Sequence, residues 1–332
     1  MIEYADIVAD VVLGDCGKGK ISSCLSMQNQ YDFVCRWAGG NNAGHTVSFN
    51  DSKYKTNLVP SGVFHKIPSI IGPACVLHPE SFYQELEYLK SNGFDTSVIK
   101  VSPKTHIITE EHIKYDKEFL ASKLGTTSKG IAPAYSDKFL RKGIQAKDVL
   151  PKELIWDEKL CGKVLCEGAQ GFWLDIDQGN YPYVTSSTTL PYGACSLGFP
   201  TQKIRNIYGA AKIYDTKSGV DPLFPKELLN DPILKQLADA GKEYGTVTGR
   251  PRIVNWLRLD RLIEAINISG STHIIISKCD VMETVGRFRL LMNDQELKFK
   301  NLEDMKFFIS GEIKKSCDLV QEVTYSYSPE KI

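Results

Sequence analysis

Short apolar runs punctuate this chain: Ile7 to Leu13, interrupted by Asp10; Ser69-Ile70-Ile71; Ile99-Lys100-Val101; Val164-Leu165-Cys166; Ile204 to Tyr208; and His273 to Ser277. Continuous apolar runs, as opposed to strict alternation, predict strands covered on both faces, as in a parallel sheet. Amphipathic stretches such as Phe82 to Leu89 and Leu257 to Ile268 lie between them and predict crossover helices. The fold class is therefore α/β, a central and mostly parallel sheet flanked by helices. Glycine-bearing polar segments follow the apolar runs: Gly14 to Lys20, Ala38 to Thr46, Gly125 to Lys138, Glu167 to Ser187 and Gly245 to Arg252. In open α/β sheets ligands bind at such loops. No Pro/Gly/Ser linker divides the chain, so residues 1–332 are expected to form a single domain, with its largest excursion at about 125–156.

Composition narrows the classes. The 332 residues are 42% hydrophobic and 24% charged, which excludes disorder as the main state. Forty basic and forty acidic side chains give a formal charge of zero. No global field recruits nucleic acid or an anionic membrane, so an anionic ligand must be held by local geometry. No apolar run reaches the ~18 residues of a membrane span, and the start lacks a basic, apolar leader. Nine scattered cysteines, without a Cys-x-x-Cys pair, predict reduced thiols in a cytoplasm.

Gly14-Asp15-Cys16-Gly17-Lys18-Gly19-Lys20 has P-loop spacing between a strand and a helix, where backbone N–H groups cradle phosphates. Ile21 stands where a P-loop carries a magnesium-binding Ser or Thr, and Asp15 puts a carboxylate into the nest. That carboxylate is expected to do chemistry or to hold magnesium. Gly39-Gly40-Asn41-Asn42-Ala43-Gly44-His45-Thr46 suits close backbone approach to a ligand, and His45 suits a transferring phosphoryl group.

Gly125 to Gly130 offers hydroxyls and Lys129 to a second phosphate, and Gln170 carries the donor and acceptor that read a base edge. Ser277-Lys278-Cys279-Asp280 is a guanine-reading turn in form: its Asp accepts N1–H and the 2-amino group, which adenine does not present. Arg250-Pro251-Arg252 places two guanidinium forks in one loop, suited to an acidic small substrate.

Together these loops resemble the adenylosuccinate synthetase family, in the right order and over most of the chain. Gly-Asp-Cys-Gly-Lys-Gly-Lys, Gly-Gly-Asn-Asn-Ala-Gly-His-Thr, Gly-Thr-Thr-Ser-Lys-Gly, Glu-Gly-Ala-Gln-Gly, Thr-Gly-Arg-Pro-Arg and Lys-Cys-Asp carry the likeness. The length is similar to that of the compact archaeal and phage-borne branches. The resemblance implies ligation of L-aspartate to a 6-oxopurine nucleotide, IMP, with GTP as co-substrate and Mg²⁺ as cofactor. It implies Asp15 as base, His45 and Lys18 as stabilisers of phosphoryl charge, and Asp15 with the Gly44 carbonyl as metal ligands. Purine nucleotide binding falls to Asn42, Thr127, Arg141, Gln170, Thr185 and Arg250, and aspartate binding to Thr248, Arg250 and Arg252. Gly17, Lys18, Gly19, Lys278, Asp280, Ser326 and Pro329 would hold GTP. Arg141 would reach across a homodimer.

Some positions depart from the family pattern: Cys16, Lys217-Ser218, Ile253, Asn255, Arg258 and Ser328. They bear on the identity of both nucleotides, and Cys16 and Lys217-Ser218 keep a second acceptor open, dGMP, as in a phage branch that makes 2-aminoadenylosuccinate. A GTP-binding module without ligase chemistry is the reading from another class, and the Arg250/Arg252 loop argues against it.

Overall fold

The first apolar run becomes the middle of the molecule. In the computed structural model, which describes residues 1–28, 30–219, 231–245, 249 and 251–332, Ile2–Asp10 forms strand β1. Its side chains alternate between two cores: Ile7 and Ala9 pack with Cys35, Trp37 and Val164, while Val8 packs with Leu165, Ala210 and Ile274. The other runs supply Ser69–Ile71 (β3), Ile99–Val101 (β4), Gly162–Glu167 (β5), Ile204–Lys212 (β6) and His273–Ser277 (β7). Two further strands, Phe33–Arg36 (β2) and Glu322–Tyr325 (β8), are absent from the sequence reading. β2 is four residues long and ends on a buried arginine, so hydropathy hides it.

The eight strands form one sheet in the order β8-β7-β6-β1-β5-β2-β3-β4, parallel at each pairing. From β1 the chain builds outward through β2, β3 and β4, returns beside β1 as β5, then crosses to β6 on its other side. Crossovers leave β1 in opposite directions, which opens a crevice at the carboxyl ends of β1, β5 and β6.

Two expected boundaries move. The strand expected to run to Leu13 stops at Asp10, whose carboxylate takes the Val12 and Gly14 N–H groups and bends the chain. Leu257 belongs to a strand, Ile253–Arg258, and the helix begins at Leu259 and runs to Ser269. That strand lies in a second sheet with Tyr214–Lys217, Arg289–Met292 and Gln295–Lys298. The departure at Arg258 is explained there: its Nε donates to Asp215 Oδ2 at 2.7 Å, inside the sheet.

The excursion expected at 125–156 begins earlier. Residues 102–161 connect β4 to β5 and carry helices Glu110–Tyr115, Ala121–Leu124 and Ile131–Phe139, with a π-helical turn at Asp116–Leu120. Ile131, Ala134 and Tyr135 pin this layer to Val76 and Ile108. Among the described residues no helix is long and apolar enough to cross a membrane.

Candidate active site

The loop after β1 is shaped from within. Asp10, 3% exposed, accepts the N–H groups of Val12 (3.0 Å), Gly14 (3.1 Å) and Cys16 (3.0 Å) and the Lys18 ammonium (3.2 Å). Two N–H groups that the P-loop reading gives to phosphates, those of Gly14 and Cys16, therefore serve an internal carboxylate. The donors left for an anion are instead those at the start of helix Lys18–Gln28. Its first intrahelical bond is made by the Ile21 N–H to Gly17 O, so the Lys18, Gly19 and Lys20 N–H groups precede it. Lys18 Nζ also donates to Gln170 O at 2.5 Å, tying the loop after β1 to the loop after β5. Gly19 allows the helix to lie against the His45–Phe49 strand, because a Cβ there would sit 2.9 Å from His45 Cβ. Cys16 is a buried thiol that donates to Gly14 O, and burial, then Asp10, raise it well above the usual thiol range.

Arg36 closes β2 and Glu167 closes β5, in direct register. Arg36 Nη2 donates to Glu167 Oε1 at 3.0 Å, and both side chains are fully buried. The Ser61 N–H (2.9 Å) and hydroxyl (2.6 Å) bond Glu167 Oε2, and His45 Nδ1 bonds Glu167 Oε1. Burial would raise the Glu167 carboxyl, but Arg36 and His45 overcome it and hold it well below the carboxylate range. Burial first and the Arg36 guanidinium second push His45 down to about 4, so the imidazole is neutral near pH 7. The His45 assignment thus comes with a carboxylate behind the ring, as in acid–base pairs where an acidic group fixes the tautomer.

A second cluster lies across the crevice. Arg252 donates to Asp15 Oδ2 through Nε (3.0 Å) and Nη2 (2.9 Å), and to Glu243 Oε2 through Nη1 (2.7 Å). The buried Glu243 also accepts from Lys212 Nζ (2.9 Å) and the Tyr214 hydroxyl (2.7 Å). Burial works to raise Glu243, and Lys212, Tyr214 and Arg252 bring it down to about 2. Asp15 itself has φ 59° and a side chain 29% exposed, and Ser218 Oγ donates to the same oxygen at 3.4 Å.

Asp15, Lys18, His45, Lys212, Ser218 and Arg252, from both clusters and the loop after β1, line one cavity of about 900 Å³. Lys18, Lys20, Lys53, Lys212, Lys217, Lys242, Lys278 and Arg252 face it against Asp15, Asp116 and Asp280. A neutral chain thus concentrates positive charge in one crevice. Asn42, Gly44, His45, Thr127, Gln170, Thr185 and Pro329 line it too, with Gly17 and Gly19. Gln170 Oε1 and Thr185 Oγ1 are buried without a partner among the described residues, the mark of atoms shaped for a ligand contact. The Asp280 side chain is exposed at the wall with no hydrogen-bond partner among the described residues. Lys278 Nζ donates to Gly241 O at 2.8 Å.

Two expected contributors fall elsewhere. Ser326 is buried behind the wall, where it accepts from Lys20; Arg141 is exposed past the end of helix Ile131–Phe139, outside the cavity. Thr248 and Arg250 lie outside the described residues. Sequence reasoning missed Asp10, Arg36, Glu167 and Glu243. The available signal was a charged residue abutting a glycine-bearing loop: Asp10 and Glu167 at strand ends, Glu243 two residues before Gly245. Asp116 and Asp175 act alike. Asp116 accepts from Thr126 Oγ1 (2.6 Å) and the Gly130 N–H (2.9 Å), and Asp175 from the Asp177 (2.9 Å), Gln178 (3.2 Å) and Thr189 (2.5 Å) N–H groups.

Comparison with known proteins agrees with this geometry. The adenylosuccinate synthetase family model matches residues 7–162 and 153–296. An adenylosuccinate synthetase of Geobacillus sp. is 33% identical over 98% of this chain and 88% of its own length. That of Listeria welshimeri is 37% identical over 86% of this chain and 79% of its own. Among solved structures, the fully ligated Plasmodium falciparum adenylosuccinate synthetase superposes with a TM-score of 0.84 at 27% identity, covering 98% of both chains. The cyanophage S-2L succinoaminodeoxyadenylate synthetase, bound to dGMP and dATP as an energy donor, gives 0.75 at 18% identity, over 99% of this chain and 94% of its own. This last likeness is one of fold.

Proposed function

The chain belongs to the adenylosuccinate synthetase family of C–N ligases, and on that premise we propose that it joins L-aspartate to C6 of IMP at the expense of GTP. The observation that carries the reading is the 2.9 Å contact between Asp15 and Arg252. It brings the carboxylate suited to act as base next to the guanidinium suited to an acidic substrate, in the cavity that Asp280 also lines.

In the first step Asp15 takes the N1 proton of IMP, and O6 attacks the γ-phosphorus of GTP, releasing GDP. The Lys18 ammonium, the first N–H groups of its helix and His45, backed by Glu167, stabilise the transferring charge. In the second step the neutral amine of aspartate attacks C6 and phosphate leaves from C6; the proton lost by the amine and the one held on Asp15 pass to the departing phosphate and to solvent, because the product carries none at N1. Arg252, with Thr248 and Arg250, holds the aspartate carboxylates. Asn42, Thr127, Gln170 and Thr185 hold IMP, and Lys278, Asp280 and Pro329 hold guanine.

Mg²⁺ suits the donor set: Asp15 Oδ1 and the Gly44 carbonyl are oxygens without hydrogen-bond partners among the described residues. When bound, it would offset phosphate charge in the transfer. We read residues 1–332 as one unit that works as a homodimer. The support is an exposed face where Phe139 is 75% and Leu140 65% accessible beside Arg141, the residue that would reach the partner's nucleotide. Nine unpaired cysteines support a cytoplasmic setting.

The decisive experiment offers IMP, GMP and dGMP in parallel with aspartate, GTP and Mg²⁺, following phosphate release and product absorbance. Turnover is expected with IMP. Product from dGMP alone would replace the acceptor assignment by the phage-type reaction and leave the ligase class standing.

A further inference from the structure

The side chain of Lys20, the second lysine of the phosphate-loop motif, has no part in the reaction just described. It is 8% exposed, and its ammonium donates to Ser326 Oγ (2.7 Å), Ser277 Oγ (3.1 Å) and Ser328 O (3.2 Å). All three acceptors are neutral oxygens. A buried ammonium without a bonded carboxylate is costly, and burial lowers this one to about 8.

Position is what the three acceptors share. Ser277 ends β7 immediately before Lys278 and Asp280. Ser326 and Ser328 belong to the C-terminal turn, which is pinned to the same place by the Ser326 N–H to Ile276 O (2.9 Å) and the Cys279 N–H to Ser326 O (3.2 Å). Lys20 therefore ties the helix whose first N–H groups face the phosphates to both turns that frame the donor base.

We propose that Lys20 is a positioning residue that sets the separation between the phosphate-holding helix start and the base-reading turns, so that both ends of a purine nucleoside triphosphate are gripped in register. The inference rests on the donor reading above and deepens it. Two half-sites at the right separation make the second contact intramolecular, and that gain is lost when the geometry slips. Misplacement by about 1 Å costs on the order of 10²-fold. Each half-site alone is indifferent to the separation.

The test uses Lys20→Met with the acceptor pocket saturated by IMP, and titrates GTP, inorganic tripolyphosphate and guanosine separately with Mg²⁺ present. GTP affinity is expected to fall about 10- to 100-fold, with tripolyphosphate and guanosine each within about threefold of wild type. Ser277→Ala removes one tie from the base side without altering the loop's charge, and a GTP-only loss of about 3- to 10-fold is expected. It carries the test should Lys20→Met not fold. Loss of tripolyphosphate binding as large as that of GTP would make Lys20 a direct phosphate ligand and overturn the proposal, as would unchanged GTP affinity in both variants. The wild type judges the donor reading separately. If it holds adenosine as tightly as guanosine, the guanine assignment falls, and the register test is read with ATP and adenosine.

Discussion

Replacing Asp10 by Asn tests whether one buried carboxylate shapes the phosphate loop. The amide keeps an acceptor for the Val12 and Gly14 N–H groups but puts an NH₂ where Oδ2 meets the Cys16 N–H at 3.0 Å and the Lys18 ammonium at 3.2 Å. Two favourable contacts become donor against donor. Hydrogen bonds to a charged group contribute about 1.5–3 kcal/mol each, and a buried charge stripped of its partner costs about 3–5 kcal/mol. These overlap, since Lys18 enters both, and Lys18 keeps its bond to Gln170 O. The expected loss is therefore about 3–5 kcal/mol, read by calorimetry as a drop in melting temperature on the order of 5–10 °C. Donor affinity should fall as well, because the loop and Lys18 relax together. Asp10→Glu would not rescue it, since at 3% exposure there is no room for a methylene. A variant melting within about 1 °C of wild type, with donor affinity intact, would show that the loop holds its shape without the carboxylate.

Three further outcomes follow from the site. Asp15→Asn should cut turnover about 10²–10⁴-fold while purine nucleotide binding stays within about tenfold, since the amide keeps the shape and loses the proton acceptor; near-normal steady-state activity would remove Asp15 as base. Asp280→Asn should weaken GTP about 10- to 150-fold in binding titrations and leave IMP and aspartate unchanged, because only the guanine contacts lose a charged acceptor; equal affinity in variant and wild type would make that turn structural. His45 is held at about 4, below the ordinary 6.5, so the unfolded chain binds the extra proton first. Its contribution to stability is full above about pH 6.5 and drains as pH falls toward 4, so wild type minus His45→Asn in urea midpoint should shrink over that window. A difference independent of pH would refute the buried neutral imidazole.

The sequence alone determined the class and the parts. Buried parallel strands must be nearly all apolar, so six of the eight central strands stood out as runs, and the loops between them had to carry the chemistry. Motif residues such as Asp15, Asn42, His45, Gln170, Thr185, Arg252 and Asp280 could be picked out because their types and spacing are local. They converge on one cavity although more than 260 positions separate Asp15 from Asp280. Tertiary structure alone decided how they are held. Arg36 and Glu167 become partners because β2 and β5 are neighbours in the sheet, 131 positions apart in sequence. Asp10 serves its own loop and Lys18, where spacing predicted backbone donors for phosphate. Glu243 acquires Lys212, Tyr214 and Arg252 only when two sheets and a helix end meet. A carboxylate in a sequence looks the same whether it will face solvent or anchor a loop. Burial makes the difference, because a charge taken out of water must find its donors inside the fold, and which donors it finds is a property of topology.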